Sequence, residues 1–327
     1  VEGIRVHHLS NQLNSSLKAL FASVLPLIRL VRELNPEYVI SVMDIQNVIA
    51  CQIKFWWERS FRAKLILCCQ VAPSKDLRSN RIGKIIAQLI PFSYAKADGI
   101  IAISRGVKND LEQNFGIRIP IRVVYNAGLD SSITEKKQEL LQLPEAMHHL
   151  VAVGRLTPQK GFDVLLEALA KVNEQLDVHC IIIGEGTERP KLELQIKELG
   201  LSKRVSLPGF QSNPYKYYAN ADAFILSSRW EGFGNVIVEA MACETPVIAT
   251  RCDFGPEEII QHEQNGLLVP VEDPEAMAAA IERLLEEKGL QRTLVAGGLL
   301  RAKDFSDKKI SKDYEDTILS FPYVRYT

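Results

Sequence analysis

The chain has 327 residues, 46% of them hydrophobic and 24% charged, with a net charge of −1. This is the balance of an ordinary globular protein with room for about two domains, and it excludes a disordered, collagen-like or disulfide-stapled chain. The near-neutral total hides an asymmetry: residues 1–130 hold 17 Lys and Arg against 10 Asp and Glu, a balance of +7, and residues 131–327 hold 22 against 30, a balance of −8.

Taken in order, short β-rich runs alternate with amphipathic helical stretches. The first half predicts strands at Ile4–Leu9, Tyr38–Val42, Leu65–Cys69, Gly99–Ile103 and Ile121–Tyr125, with helices near 15–34, 46–62, 80–96 and 105–115. Asn35-Pro36 ends the first of these helices, because the residue before proline disfavours helical backbone. A polar stretch at 129–148, containing Asp-Ser-Ser-Ile-Thr-Glu-Lys-Lys, reads as a linker. The second half predicts strands at Leu150–Gly154, Val178–Ile183, Val205–Leu207, Ala223–Leu226, Pro246–Thr250 and Leu267–Val269. Its helices fall near 161–175, 188–199, 215–220, 235–243, 256–261, 274–287 and 290–303. Two runs of β-then-α alternation predict two parallel sheets, each covered on both faces, with ligands beyond the carboxyl ends of the strands.

No apolar run reaches the roughly 20 residues that span a bilayer; Leu17 to Leu30 is interrupted by Lys18, Pro26 and Arg29. The start lacks the basic residues and apolar run of a signal peptide. Because the chain opens on Val1, further natural sequence upstream is expected. Six cysteines without a C-x-x-C pair read as reduced core thiols of a cytoplasmic protein. The six histidines show no metal-ligand spacing, so no metal is expected.

The chemistry-bearing residues follow the strands of the second half. After Gly154 come Arg155 and Lys160, two cations near a helix start, which suit a diphosphate; alone they read equally well as a solvated basic turn. Gly184-Glu185-Gly186 permits close approach of a ligand or is a plain turn. Phe210 is a surface for a nucleobase or a core aromatic. The strongest feature is Ser227-Ser-Arg-Trp-Glu231-Gly-Phe-Gly-Asn235, which runs into the helix Val236 to Cys243 that carries Glu239. Here Gly232, Phe233 and Gly234 form a loop running into a helix at Asn235 and Val236, whose free N–H groups suit a phosphate. Glu239 lies on a helix that is apolar nearly all round, so it needs a partner such as a ribose or sugar hydroxyl. Whether Glu257 and Glu258 do more than favour a helix N-terminus is open from charge alone.

These loops, in this order, resemble the retaining GT-B glycosyltransferases of glycosyltransferase family 4. The resemblance rests on Gly154-Arg-Leu-x-x-Gln-Lys160-Gly, Gly184-Glu-Gly186, Pro-Gly-Phe210, the Glu231–Glu239 segment, Gly255-Pro256-x-Glu258 and Asn265-Gly266-Leu-Leu-Val. It covers nearly all of 150–290, and more loosely Lys96-Ala-Asp-Gly-Ile-Ile-Ala-Ile-Ser104 and Val124-Tyr-Asn126. It implies an α/β GT-B fold of two Rossmann-like doubly wound domains facing a cleft. Residues 1–128 would bind the acceptor, incomplete at the start by some 60 residues of the usual plan, and 149–305 the nucleotide sugar. Residues 306–327 would return as a helix towards the first domain. Arg155, Lys160 and Glu231 would be catalytic, with the two cations neutralising the departing diphosphate. Donor contacts would come from Gly154, Gly184, Glu185, Phe210, Gly232, Phe233, Gly234, Asn235, Val236 and Glu239. A UDP-sugar is the preferred donor, with retention of configuration and no cofactor or essential metal. Gln70 stands where the family commonly has a histidine, and cannot titrate near neutral pH; it and Asn126 are the acceptor-side candidates.

The basic first half, with the implied family, predicts a lipid-linked or cell-envelope saccharide acceptor and no nucleic acid. It also predicts peripheral contact with an anionic membrane at the cytoplasmic face. Lys54-Phe-Trp-Trp-Glu-Arg-Ser-Phe-Arg-Ala-Lys64 reads as an interfacial helix or as one packed on the sheet. Two other classes remain: a non-catalytic sugar-nucleotide-binding GT-B protein, and a GT-B synthase or phosphorylase acting on a soluble sugar phosphate.

Overall fold

A computed structural model describes residues 17–56, 63–77, 81–129 and 132–322, which divide into two compact α/β units. The expected strand Ile4–Leu9 lies outside the described residues. The first unit takes in the described residues up to 102, then 108–123 and those from 317 onward; the second takes in 103–107 and 124–316.

The first unit contains α1 (Leu17–Leu34), β1 (Tyr38–Val42), α2 (Asp44–Trp56), β2 (Lys64–Cys69), α3 (Pro73–Asp76), α4 (Arg81–Tyr94), β3 (Gly99–Ala102) and β4 (Ile121–Val123). The four strands form a parallel sheet in the order β1-β2-β3-β4. β2 is buried along nearly its whole length and β3 along all of it, as a parallel sheet covered on both faces requires. Helix α5 (Arg105–Asn114) begins within the second unit and runs into the first.

Of the two readings of the segment from Lys54, its described start fits the packed one. Lys54 is buried and donates to Asp98 Oδ2 at 2.5 Å, while the same carboxylate oxygen accepts the Leu65 backbone N–H at 2.7 Å. An ammonium removed from water in this way needs a paired charge, and Asp98 supplies it. The remainder of that segment, Trp57–Arg62, lies outside the described residues.

A second buried carboxylate sits where β1 gives way to α2. Asp44 is 5% exposed and accepts the Tyr94 hydroxyl at 2.8 Å, and Asn47 Nδ2 reaches the Cys68 carbonyl at 3.2 Å beside it. Burial pushes the Asp44 carboxyl up to about 6, against the opposing hydrogen bond from Tyr94.

The second unit contains α6 (Ile133–Lys136), β5 (His148–Val153), α7 (Phe162–Lys171), β6 (Val178–Ile183), α8 (Arg189–Glu198), β7 (Val205–Gly209), α9 (Tyr215–Ala219) and β8 (Ala223–Leu226). It continues with α10 (Asn235–Ala242), β9 (Val247–Thr250), α11 (Pro256–Ile259), β10 (Leu267–Val269), α12 (Pro274–Glu286), α13 (Lys288–Ala302) and α14 (Asp307–Ser320), whose last residues fall in the first unit. The six strands are parallel in the order β10-β9-β8-β5-β6-β7. Chain order therefore reverses between β5 and β8, which makes their carboxyl ends the expected ligand position. The core is built from apolar strands such as Val178–Ile183 and the inward face of α7, with Leu165, Leu166 and Leu169. The polar stretch read as a linker carries α6, and Asn213 Nδ2 holds the Lys136 carbonyl at 2.9 Å. All six cysteines are buried free thiols, and no helix of the described residues is long and apolar enough to cross a membrane.

The raised Asp44 value has a defined sign. The folded chain holds this proton more tightly than the unfolded one, so the stability it contributes is present below about pH 4 and is lost as pH rises through about 6. Asp44→Asn, which keeps an acceptor for Tyr94, is expected to stabilise the protein at pH 7.5 by up to about 3 kcal/mol. It should also flatten the pH dependence of urea unfolding between about 4 and 6.

Candidate active site

The two loops that leave β5 and β8 are joined to each other. Gln159 Nε2 donates to the Trp230 carbonyl at 2.9 Å, Arg229 N to the Gln159 carbonyl at 2.8 Å, and Ser227 Oγ to the Lys160 carbonyl at 2.8 Å. The approach is so close that a Cβ at Gly161, whose φ is +60°, would stand 2.2 Å from the Ser227 carbonyl oxygen. On the other side, Gly184 at φ +145° leaves room for the Gly154 carbonyl, which a Cβ would meet at 1.9 Å. These two glycines serve backbone approach of neighbouring loops.

Between the joined loops lies an ion pair. Lys160 Nζ and Glu231 Oε1 are 2.6 Å apart, and the same oxygen accepts Ser228 Oγ at 2.6 Å. Glu231 is 7% exposed. Its backbone N–H is held by the Asp253 carbonyl at 3.2 Å, so β9 and its following loop support the carboxylate as well. The Lys160 stem lies across Gly154, while Arg155 is exposed and reaches Gln159. In the protein alone, these two side chains, read from the sequence as diphosphate and sugar ligands, neutralise each other.

Arg229 fixes the geometry. Its guanidinium makes a two-pronged contact with Asp163 at 2.9 and 2.8 Å, donates to the Pro158 carbonyl at 2.7 Å, and pairs with Glu272. Hydrogen bonds to Asp163, above all, raise its pKa. One planar cation thus ties the turn at 158–160, the start of α7 and the segment after β10 to the loop carrying Glu231.

Gly232, Phe233 and Gly234 are buried, and Gly234 is the residue before α10. The Phe233 ring faces away from the loop, stacked on Tyr125 at 5.3 Å and edge-on to Phe305 at 5.2 Å, so the aromatic core anchors the loop from beneath. At the first turn of α10, Asn235 Oδ1 is buried and has no hydrogen-bond partner among the described residues. Such an atom is costly unless something else donates to it. Val236 is half-buried beside it. Glu239, half-buried on the same helix, accepts the hydroxyl of the fully buried Tyr218 at 3.2 Å, and burial raises its pKa despite that bond.

Glu185 is exposed and held by Arg189 at 2.8 Å; Phe210, just past β7, is 75% exposed and so is not a core aromatic. Gln70 follows β2 in the first unit, and Asn126 belongs to the second. Ser228 and Arg229 lie in the segment singled out from the sequence and Gln159 in the turn before Lys160, but no role for them, or for Tyr218, was readable there. The sequence also left Glu258 open. That carboxylate caps α5, accepting the backbone N–H of Arg105 at 2.9 Å and of Gly106 at 3.0 Å, with the Tyr125 hydroxyl at 3.1 Å.

Comparison with known proteins agrees with this architecture. The family described as glycosyl transferases group 1 matches residues 133–298. A Campylobacter jejuni protein, N-acetylgalactosamine-N,N'-diacetylbacillosaminyl-diphospho-undecaprenol 4-alpha-N-acetylgalactosaminyltransferase, is 32% identical over 287 residues, covering 87% of this chain and 77% of that protein. The lipopolysaccharide core biosynthesis glycosyltransferase LpsD of Rhizobium meliloti is 31% identical over 267 residues, 79% of this chain and 76% of its own. Among solved structures, Anabaena HepE in complex with UDP and glucose superposes with a TM-score of 0.77 at 23% identity, covering 95% of this chain and 84% of that one. Two parallel, helix-covered α/β units of this kind make the fold GT-B. The chain belongs to the glycosyl transferases group 1 family, and it is a glycosyltransferase.

The Arg229 cluster gives a structural test. Arg229→Met removes the link between four segments and is expected to lower unfolding stability by about 1–2 kcal/mol in urea titration. Arg229→Lys, which keeps the charge but not the two-pronged contact, should fall between it and the wild type.

Proposed function

We propose that this enzyme transfers a sugar from a nucleoside-diphosphate sugar, preferably a UDP-sugar, to a lipid-linked or cell-envelope saccharide, with retention of anomeric configuration. The observation that carries the reading is the Lys160–Glu231 pair at the mouth of a helix start whose Asn235 Oδ1 lacks a partner among the described residues. A donor has groups for each of these. Its diphosphate draws Lys160 away from Glu231, with Arg155 as the second cation and the N–H groups of residues 232–236 as further donors. Released from Lys160, Glu231 accepts hydroxyls of the transferred sugar. Negative charge that grows on the diphosphate as the glycosidic bond breaks is neutralised by Lys160 and Arg155, so the reaction proceeds without an essential metal or cofactor.

Glu239 takes the ribose hydroxyls, and its raised pKa makes donor binding weaken on acidification as the carboxylate protonates. The exposed Phe210 ring offers a face to the base, with Glu185 and Gly184 at the adjacent strand end. Gln70 and Asn126 are acceptor-side residues in this reading. The acceptor class is supported by the names of the Campylobacter and Rhizobium relatives. Buried free thiols suit a cytoplasmic enzyme.

Thermal unfolding with UDP, GDP and ADP and their sugars tests the donor. The matching nucleotide at about 100 times its Kd stabilises by about 2.7 kcal/mol. Lys160→Ala should cut turnover by about 100-fold or more. Glu239→Gln should weaken donor binding by about tenfold or more. Absence of a shift with every nucleotide defeats the reading. Binding without turnover makes the protein a non-catalytic binder, and a product from a soluble sugar phosphate makes it a synthase. The anomeric configuration of the product, read by NMR, decides retention.

A further inference from the structure

Helix α4 is apolar on two sides. Gly83, Ile86, Ile90, Ser93 and Tyr94 turn into the first unit. On another flank, Ile82, Ile85, Leu89 and Phe92 are between 40% and 76% exposed. Their 3-4-3 spacing lays them in one stripe along the 14-residue helix. Single exposed apolar side chains are ordinary, but four in one stripe mark an interaction surface.

Charge narrows the partner. The exposed Arg81 and Lys84 border the stripe, and Lys96, just beyond the helix, lies over the exposed Phe55 ring at 4.8 Å. From Leu77 to Ala97 the sequence holds four basic residues and no acidic one. An aliphatic and aromatic stripe with cations and no acid along its helix complements a surface that is apolar beneath and anionic above.

We propose that α4 is a membrane-docking helix, its stripe entering the headgroup–acyl boundary of an anionic bilayer while Arg81 and Lys84 meet lipid phosphates. Lys54 itself takes no part, because its ammonium is occupied by Asp98. The inference deepens the reading of a lipid-linked acceptor, which such a surface would present, but its test uses neither donor nor acceptor.

The 327-residue chain is sedimented with vesicles of phosphatidylcholine alone and of phosphatidylcholine with phosphatidylglycerol. Binding to the anionic vesicles is expected to be about tenfold tighter or more, and to fall in 0.5 M NaCl. The Ile85→Gln/Phe92→Gln variant should lose at least about tenfold, as should Arg81→Gln/Lys84→Gln, with unfolding temperature and nucleotide-induced shift unchanged. Phe92→Trp should be quenched by brominated acyl chains beyond the level of the parent protein. Equal pelleting on both vesicle types, or undiminished binding by the apolar variant, overturns the proposal. A dimer in gel filtration that the apolar variant dissolves assigns the stripe to a second copy of the chain and overturns it too. If vesicle binding fails while the nucleotide shift persists, docking alone falls; the reverse result removes the donor reading alone.

Discussion

The second unit is organised around the salt bridge between Lys160 and Glu231. Two opposite charges taken out of water at 2.6 Å are stable only when the remaining lone pairs and protons are also engaged. Ser228 engages one, and the loops themselves are held in register by Gln159, Ser227 and the Arg229 guanidinium. Without this framework the two segments, some 70 residues apart in sequence, would have no reason to keep a cation and a carboxylate at the same strand ends. In the proposed function, this charge arrangement is held ready for an anionic, hydroxyl-rich ligand that offers each member a substitute partner.

The units handle their unusual groups differently. In the second, the polar residues at the strand ends are supported from below by apolar packing, as where Phe233 sits among Tyr125 and Phe305. In the first, carboxylates are drawn inside, Asp98 with a matching ammonium and Asp44 with a tyrosine hydroxyl, while apolar side chains of α4 remain outside. The first pattern suits binding of a small polar molecule; the second leaves a face whose solvation is unfavourable.

Much of this was legible in the sequence. Largely apolar runs such as Val178–Ile183, with one histidine, and Ala223–Leu226 announce buried parallel strands, and the observed elements follow the expected alternation closely. The glycine loop opening α10 was equally readable, because its signal is local. What escaped depends on partners far along the chain. Arg229 looks like one more loop cation until Asp163 and Glu272 are beside it, and Glu258 looks like a first-turn acid until α5, some 150 residues earlier, presents its N–H groups. Lys54 was left between a surface and a packed position for the same reason, since its burial follows from Asp98 and has no pattern in its own segment.

The bonds of Glu258 bear on how such a protein can be divided. Residues 103–107 and 124–128 precede the polar stretch at 129–148, yet they belong to the second unit, fastened by Glu258 and by the Tyr125 ring. Separating the halves at that stretch would remove the three donors from this carboxylate and one ring from the cluster beneath the glycine loop. Any recombination between relatives that exchanges the first half for another must carry these two short segments with the second. Modularity here is a property of the folded units, and it does not coincide with a single cut in the polypeptide.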